Sequence, residues 1–322
     1  MVLSGREELR HIGINEVSDV NPLAEGRGMQ LGLVGLGTMG GPMARRLAAA
    51  GHEVIGADSS PTAAERARVA GTSVTGSLAD LVAALTPPRA VWVMVPPPAT
   101  GGVVDELAGL LADGDLVVDG GNSDWREAAG RAARLAESGV RFLDVGVSGG
   151  QWGWRHGYGL TVGGAAEDAE RIHPVLAALA APGAVAVVGP TGAGHFVKAV
   201  HNAVEYGLMQ AYAEGFALLS ARDGLDPLTA LRVWQAGCSA RSFLLEQTVD
   251  ALAAVAALTG VGSAVADSGM GRWTAEEAVR QGIATPVLTA ALQARFASRD
   301  DERAASRLLV AARARIGGHA HA

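Results

Sequence analysis

The most informative segment for the fold is Leu31-Gly-Leu-Val-Gly-Leu-Gly-Thr-Met-Gly40, in which an apolar run leads directly into three spaced glycines. A helical pattern follows over residues 39–50, with Pro42 in its first turn and Gly51 after its last. A G-x-G-x-x-G motif between a strand and a helix lets backbone amides approach the pyrophosphate of a dinucleotide. The residues predicted to bind it are Gly35, Gly37, Thr38, Met39 and Gly40.

Strand and helix patterns alternate from this loop as far as residue 189. Buried strands are predicted over residues 31–34, 52–58, 90–95, 116–119, 142–145 and 184–188. Alternating units of this size predict an α/β fold, in which a parallel sheet is covered by helices on both faces. We therefore expect a Rossmann-like, doubly wound N-terminal domain.

The pattern changes after Gly189-Pro190, where no strand pattern recurs. Residues 192–221 predict one long helix, and further helical segments follow to the end of the chain. The predicted organisation is a disordered extension over residues 1–28, a dinucleotide-binding domain over 29–190, and an all-helical substrate and oligomerisation domain over 191–322.

The composition of the chain argues against nucleic acid and membranes as binding partners. The chain has 322 residues and a formal net charge of -7, without the basic block that nucleic-acid binding requires. The longest apolar stretch, residues 251–266, contains glycine and is too short to span a bilayer. Cys238 is the only cysteine, which excludes an intrachain disulfide and a cysteine-rich metal site. We expect a cytoplasmic protein that binds neither nucleic acid nor membrane.

Asp58 ends the second predicted strand, where a carboxylate can accept hydrogen bonds from the hydroxyls of the adenosine ribose. Ser59 and Ser60 follow it and offer no cation for a 2′-phosphate. Arg66 and Arg68 lie on the next predicted helix, where we expect them to face solvent. The sequence therefore favours NAD over NADP.

A polar stripe begins the long predicted helix. Lys198, Asn202 and Glu205 have the spacing i, i+4, i+7, which places them on one helix face, and His201 and Tyr206 flank them. Their neighbours are apolar or small, and in such a setting a lysine loses its proton more readily and a carboxyl group keeps its proton longer. The stripe therefore predicts a base and an acid. The residues expected to form the apolar core face of this helix are Val197, Val200 and Val204.

Several motifs resemble those of 6-phosphogluconate dehydrogenases of the shorter kind, within the β-hydroxyacid dehydrogenases. Besides the glycine loop, they are Val93-Met-Val-Pro96, Asp119-Gly-Gly-Asn122-Ser123, Val147-Ser-Gly-Gly150 and the run from His195 to Tyr206. The resemblance implies oxidation and decarboxylation of 6-phosphogluconate with a nicotinamide cofactor. This reaction needs no metal, because the ketone formed in the substrate accepts the electron pair that decarboxylation releases.

The resemblance also implies roles for individual residues. Lys198 would be the base for the substrate hydroxyl, Glu205 would protonate carbon 1 of the enediol, and Asn202 would be a third catalytic residue. Val95 and Asn122 would lie against the cofactor. The residues implied to hold the substrate are Asn122, Ser148, Gly149, Gly150, His201, Tyr206, Arg241, Arg313 and His319. In this family the last two reach a neighbouring subunit's site, which implies a homodimer or homotetramer.

Departures from the family pattern keep other substrates open. Met270 stands where short members carry glutamate, and the residues around Cys238 and Arg241 also differ. One alternative is another β-hydroxyacid dehydrogenase, acting on a different sugar acid or a small 3-hydroxy acid. A second, from another class, is a non-catalytic dinucleotide-sensing protein.

Overall fold

The computed structural model describes residues 28–255, 258–300 and 303–317. The chain divides into two compact units between Lys198 and Ala199. The predicted domain boundary near residue 190 stays a prediction. Within the described residues, no helix is both long and apolar enough to cross a membrane.

The first unit is built on one sheet of eight strands in the order β3-β2-β1-β4-β5-β6-β7-β8. The strands are β1 Gln30–Val34, β2 Glu53–Ala57, β3 Ser73–Val74, β4 Ala90–Val93, β5 Leu116–Asp119, β6 Arg141–Ser148, β7 Tyr158–Gly164 and β8 Ala180–Gly189. The helices of this unit are α1 Gly40–Ala49, α2 Pro61–Val69, α3 Leu78–Ala84, α4 Pro97–Leu110, α5 Trp125–Ala136, α6 Gly153–His156, α7 Ala166–Arg171 and α8 His173–Leu179.

Alternate residues of the central strands enter separate hydrophobic clusters. Leu116 and Val118 of β5 belong to one cluster, and Val117 between them belongs to the other. Successive strand residues point to opposite faces, so both faces of the sheet are packed. This confirms the Rossmann-like fold expected from the sequence.

The expectation of a parallel sheet is wrong for β7 and β8, because β7 pairs antiparallel with β6 and β8 pairs parallel with β7. Strand β7 was also not predicted from the sequence. Residues 149–157 connect β6 to β7, and this is shorter than the roughly dozen residues that a parallel crossover needs. The chain therefore returns beside β6 in the opposite direction. The short edge strand β3 was also missed.

The described part of the chain after Gly189 contains helices and no strands, as the sequence predicts. Helix α9 is continuous from Ala193 to Ser220 and begins in the first unit. It is followed by α10 Pro227–Gly237, α11 Phe243–Ala254, α12 Met270–Gln281, α13 Pro286–Ala297 and α14 Ala304–Gly317. A small core in the second unit is formed by Leu231, Leu245 and Val249.

Candidate active site

The glycine loop joins β1 to α1 in a conformation that only glycine tolerates at two positions. Gly35 has a φ of +93°, and a side chain there would collide with the carbonyl of Met94. A side chain at Gly40 would collide with the carbonyl of Gly35. These contacts explain the first and third glycines of the motif as requirements of backbone packing.

Gly37 differs, because no atom lies within 4 Å of the place where its β-carbon would be. This open side faces no protein group, as expected where a ligand must approach the backbone. Helix α1 begins beside it at Gly40; the N-cap residue Met39 provides no side-chain cap, and the first turn contains no acid. Its first amides and the positive end of its dipole therefore suit an anion, and these residues fit the pyrophosphate of a dinucleotide.

Asp58 lies at the carboxyl end of β2, beside this loop. Its Oδ2 accepts a hydrogen bond of 2.6 Å from the amide of Leu36, and its Oδ1 accepts one of 2.7 Å from the amide of Ser60. The two bonds fix the carboxylate next to the glycine loop. Arg66 and Arg68 of α2 are exposed, as predicted.

Loops after neighbouring strands meet at the same edge of the sheet. A β-carbon at Gly35 would lie 3.1 Å from Cγ1 of Val95, and one at Gly121 would lie 2.9 Å from the carbonyl oxygen of Val95. Asn122 follows Gly121 and is exposed. The structure thus brings the glycine loop, Val95 and the Asn122 loop together at the carboxyl ends of parallel strands, where α/β sheets bind ligands.

Ser148 ends β6 on this edge and is followed by Gly149 and Gly150, whose φ angles are +132° and +52°. The ring of the buried Tyr158 packs beneath them, 3.2 Å from the position of a β-carbon on Gly149. Burial raises the pKa of the Tyr158 phenol to about 12, so the ring is a neutral platform. A side chain at Gly153 would collide with the same ring.

Lys198 is only 7% exposed, which confirms the buried setting predicted for this base candidate. Its helix packs very closely against β6, because a β-carbon at Gly146 would lie 2.5 Å from Cβ of Lys198. Asp144, also on β6, accepts hydrogen bonds from the amides of Gly192 and His195, at 2.6 and 2.8 Å. This carboxylate satisfies amides at the start of α9 and so fixes the turn that precedes Lys198.

The apolar setting predicted for Glu205 is wrong. Its side chain is 34% exposed, and its Oε2 lies 3.7 Å from Nδ1 of His201, one turn earlier. The predicted valine core face is wrong as well, since Val197 and Val204 are 36% and 45% exposed. The buried side chains of α9 are instead those of His195, Lys198, Ala199, Ala203 and Tyr206.

Tyr206 is 9% exposed and lies in a cluster of the second unit. Its hydroxyl is 3.2 Å from the hydroxyl of Ser268, and the guanidinium of Arg295 lies 3.6 Å from the ring centroid. The same guanidinium donates a bond of 2.8 Å to the carbonyl of Ala266. Sequence reasoning missed Arg295, because it lies on α13 in a stretch without a motif.

Met270 is fully buried at the start of α12, and its sulfur accepts a hydrogen bond from the side-chain amide of Asn202. The turn before it is held by Asp267, which accepts a bond of 2.9 Å from the amide of Gly269 and pairs with Arg272 at 2.9 Å. A thioether is a weak acceptor, so the Asn202 amide keeps hydrogen-bonding capacity for a ligand.

The remaining predicted substrate residues of the C-terminal part are Arg241, Arg313 and His319. Arg241 is exposed in the turn between α10 and α11. Arg313 lies within α14, whose side chains from that residue onward are outside the description, and His319 lies outside the described residues.

Backbone amides at the start of α1 suit a pyrophosphate, and the carboxylate beside them suits a ribose. The class that the fold and the site define is therefore a dinucleotide-binding protein of the Rossmann type. Two family models match the chain: the NAD binding domain of 6-phosphogluconate dehydrogenase over residues 30–189, and its C-terminal domain over residues 194–319. The chain belongs to the 6-phosphogluconate dehydrogenase family.

Individual relatives agree with this family. The chain is 40% identical over 295 residues to an NAD(+)-dependent, decarboxylating 6-phosphogluconate dehydrogenase of Haloferax volcanii, covering 90% of this chain and 98% of the relative. The Plasmodium falciparum 6-phosphogluconate dehydrogenase, solved apo, with its cofactor NADP+ and with its substrate, superposes with a TM-score of 0.76 at 27% identity. That match covers 91% of this chain but only 65% of the Plasmodium chain. A 3-hydroxyisobutyrate dehydrogenase of Mycobacterium tuberculosis matches with a TM-score of 0.66 at 27% identity, covering 84% of this chain and 94% of that one.

Proposed function

We propose that the protein catalyses the oxidative decarboxylation of 6-phosphogluconate to ribulose 5-phosphate and CO2, with NAD as the oxidant. The observation that carries the proposal is the buried Lys198, on a helix whose same face bears Asn202 and Glu205. A buried amine suits a base, since burial disfavours its charged form.

Lys198 removes the proton of the substrate's carbon-3 hydroxyl as the hydride leaves carbon 3. The nicotinamide, when bound, supplies the hydride acceptor. Asn202 and His201 bind the hydroxyl and carboxyl groups, and Asn122 with Ser148, Gly149 and Gly150 orients the substrate at the sheet edge. The product of this step is a 3-keto acid with a carboxylate β to the ketone.

The second step breaks the bond between carbon 1 and carbon 2 and releases CO2. Its electron pair moves toward the carbon-3 ketone, whose oxygen accepts a hydrogen bond from the protonated Lys198. The resulting enediol is then protonated on the carbon that bore the carboxylate, and we assign this proton to Glu205. Its partial exposure and its contact with His201 allow the carboxyl group to regain a proton from solvent.

We assign the substrate phosphate to Tyr206 and Arg295, because a phenol and a guanidinium lie together there. Arg241, Arg313 and His319 remain proposed phosphate-binding residues on the family resemblance. If the last two act from a neighbouring copy, the working enzyme is a homodimer or homotetramer. We also propose that it acts in the cytoplasm.

The preference for NAD rests on Asp58. Its carboxylate is fixed beside the glycine loop by the amides of Leu36 and Ser60. A 2′-phosphate at this place would meet a like charge, and Arg68 of the next helix pairs with Glu65 at 3.5 Å. NADP should therefore bind more weakly than NAD.

A second candidate is oxidation of another hydroxy acid. It is favoured by Met270, which presents a buried thioether to Asn202. The chain also resembles the 3-hydroxyisobutyrate dehydrogenase named above.

The test is steady-state kinetics with 6-phosphogluconate and either nucleotide, following reduced nicotinamide and CO2 together. Equimolar formation of both products, with higher kcat/KM for NAD, is expected. Turnover of an unphosphorylated acid in preference would instead establish the second candidate. Nucleotide binding without turnover of any sugar acid or 3-hydroxy acid would establish a dinucleotide-sensing protein.

A further inference from the structure

Asp119 ends β5 and is completely buried. Its Oδ1 accepts hydrogen bonds from the amide of Gly121 at 3.1 Å and from the hydroxyl of Ser123 at 3.3 Å. Asn122 lies between these two anchored residues. One carboxylate oxygen therefore fixes the loop that presents Asn122 at the sheet edge.

The second oxygen of Asp119 lies close to a guanidinium group and to an imidazole ring. Nη1 of Arg131, itself 2% exposed, donates to Oδ2 at 3.1 Å. Nε2 of His195 lies 3.2 Å from the same oxygen, and the His195 side chain is 0% exposed. The histidine comes from α9, so the carboxylate contacts both the Asn122 loop and the helix that carries Lys198.

The His195 ring is an unusual group to bury at this place. Among the described residues, neither ring nitrogen has a partner with hydrogen-bond geometry, although Nε2 lies close to Asp119. A buried polar group without an aligned partner destabilises the folded state, and an apolar side chain would avoid that cost. An apolar side chain would not provide the contact that His195 makes with Asp119, the carboxylate that anchors the Asn122 loop.

The backbone of His195 is fixed independently, because its amide donates to Asp144. Lys198 follows three residues later, close to one helical turn, and so lies on the same side of α9. The ring of His195 and the stem of Lys198 are therefore parts of one short, rigid segment. Movement of that segment relative to β5 would move the base.

We propose that Asp119 and His195 are positioning residues that hold the Asn122 loop and Lys198 in a fixed relation. The proposal rests on the function proposed above, in which Asn122 orients the substrate and Lys198 takes its proton. Loss of the contact displaces the base from the oriented hydroxyl. It therefore slows hydride transfer more than it weakens binding, since small misplacements of reacting groups act mainly on the rate.

The positioning role is tested by steady-state kinetics of three variants, which are His195→Leu, His195→Asn and His195→Gln. Leucine removes the contact, asparagine is too short to restore it, and glutamine can place its amide near the former Nε2. We expect kcat to fall about 10- to 100-fold in the first two variants, with KM and nucleotide Kd within about threefold of wild type. Glutamine should recover most of the loss.

A primary deuterium isotope effect separates positioning from a loss of folded protein. With substrate deuterated at carbon 3, the isotope effect on kcat should rise in the leucine and asparagine variants, because hydride transfer becomes slower. A smaller folded fraction lowers kcat and leaves the isotope effect unchanged. The matched control is His52→Leu, a histidine of the same unit that is buried and accepts a bond from Met29, and it should leave kcat unchanged.

Hydrogen exchange of the full chain without ligands tests the coupling independently of activity. In the leucine or asparagine variant, the Gly121 amide should exchange faster than in wild type, although the change is on α9. If 6-phosphogluconate is not oxidised but this acceleration appears, the proposed function fails and the coupling stands. Unchanged exchange at Gly121, or kcat within twofold of wild type in an active enzyme, overturns the positioning role.

Discussion

The two ends of the polar stripe on α9 lie in different environments. Lys198 is 7% exposed and follows a helix start that Asp144 fixes to β6, whereas Glu205 is 34% exposed and faces His201. The spacing of the residues is a property of the helix, but their burial is decided by what packs against each turn. The comparison suggests a division of work, in which the buried end needs exact placement and the exposed end needs access to solvent protons.

Replacement of the buried base should have the largest effect. Lys198→Met keeps most of the side-chain length and removes the amine, so we expect kcat to fall by about 10²- to 10⁴-fold. Nucleotide Kd, measured by fluorescence titration, should stay within about threefold of wild type. Glu205→Gln is the matched change at the exposed end. If it abolishes hydride transfer as completely as Lys198→Met, the two ends do not have different roles.

Close packing beneath the base gives the next largest effect. A β-carbon at Gly146 would lie 2.5 Å from Cβ of Lys198 and 2.6 Å from the carbonyl oxygen of Gly194, so α9 must shift in Gly146→Ala. We expect kcat to fall by up to about 100-fold and stability to fall by about 1–3 kcal/mol. Urea unfolding and steady-state rates measure the two effects.

Gly109→Ala is the matched control for Gly146→Ala, because Gly109 is an exposed helical glycine with no atom within 4 Å of a β-carbon. It should leave kcat unchanged and raise stability by up to about 1 kcal/mol. Equal behaviour of the two variants would show that the fit between β6 and α9 does not govern the base.

The second unit gives a test of intermediate size, in which two arginines compete for one role. Arg295 lies 3.6 Å from the ring of Tyr206, whereas Arg241 is exposed in the turn after α10. We expect Arg295→Met to raise KM for 6-phosphogluconate about 10- to 100-fold, since bonds to charged groups contribute about 1.5–3 kcal/mol. Turnover of unphosphorylated gluconate should be unaffected.

Arg241→Met is the matched comparison. Arg241 remains a proposed phosphate-binding residue but is exposed, so we expect KM to rise less than in Arg295→Met. The reverse result would return the phosphate to the residue that the sequence resemblance indicates. Similar losses in both variants would mean that the two guanidiniums share the phosphate.

The sheet edge could be predicted from the sequence because its determinants are local. Gly40 is required by a backbone contact with Gly35, five residues earlier, and Gly35 by its own positive φ, while Asp58 follows its strand directly. The antiparallel direction of β7 also has a local cause, which is the short connection over residues 149–157. The alternation of apolar residues within the strands does not indicate that direction.

The side-chain cluster of the second unit could not be predicted in the same way. The contact of Tyr206 with Arg295 joins residues on α9 and α13, and no spacing rule relates them. Exposure of Val204 and Glu205 likewise depends on what packs against α9. Helical periodicity identifies residues that share a face, and only tertiary packing decides which face is buried.

Tyr158 gives the smallest expected effect on activity and limits what burial alone implies. The ring supports Gly149, but its buried hydroxyl has no hydrogen-bond partner among the described residues. Tyr158→Phe keeps the ring and removes an unsatisfied group, so kcat should stay within about twofold of wild type. Stability near neutral pH should be equal or higher by up to about 1 kcal/mol, because no bond is lost.

The same variant has a pH signature of defined sign. Burial raises the pKa of Tyr158 from 10.0 to about 12, so the unfolded chain loses this proton at lower pH than the folded one. The free energy of unfolding therefore keeps its full value below pH 10. It falls by about 2–3 kcal/mol in total as the pH rises toward 12. Urea unfolding across this range should show that loss in wild type and a correspondingly smaller one in Tyr158→Phe. If the free energy of unfolding falls equally with pH in the two proteins, the phenol is not shielded from water. Burial of Tyr158 would then not imply a raised pKa.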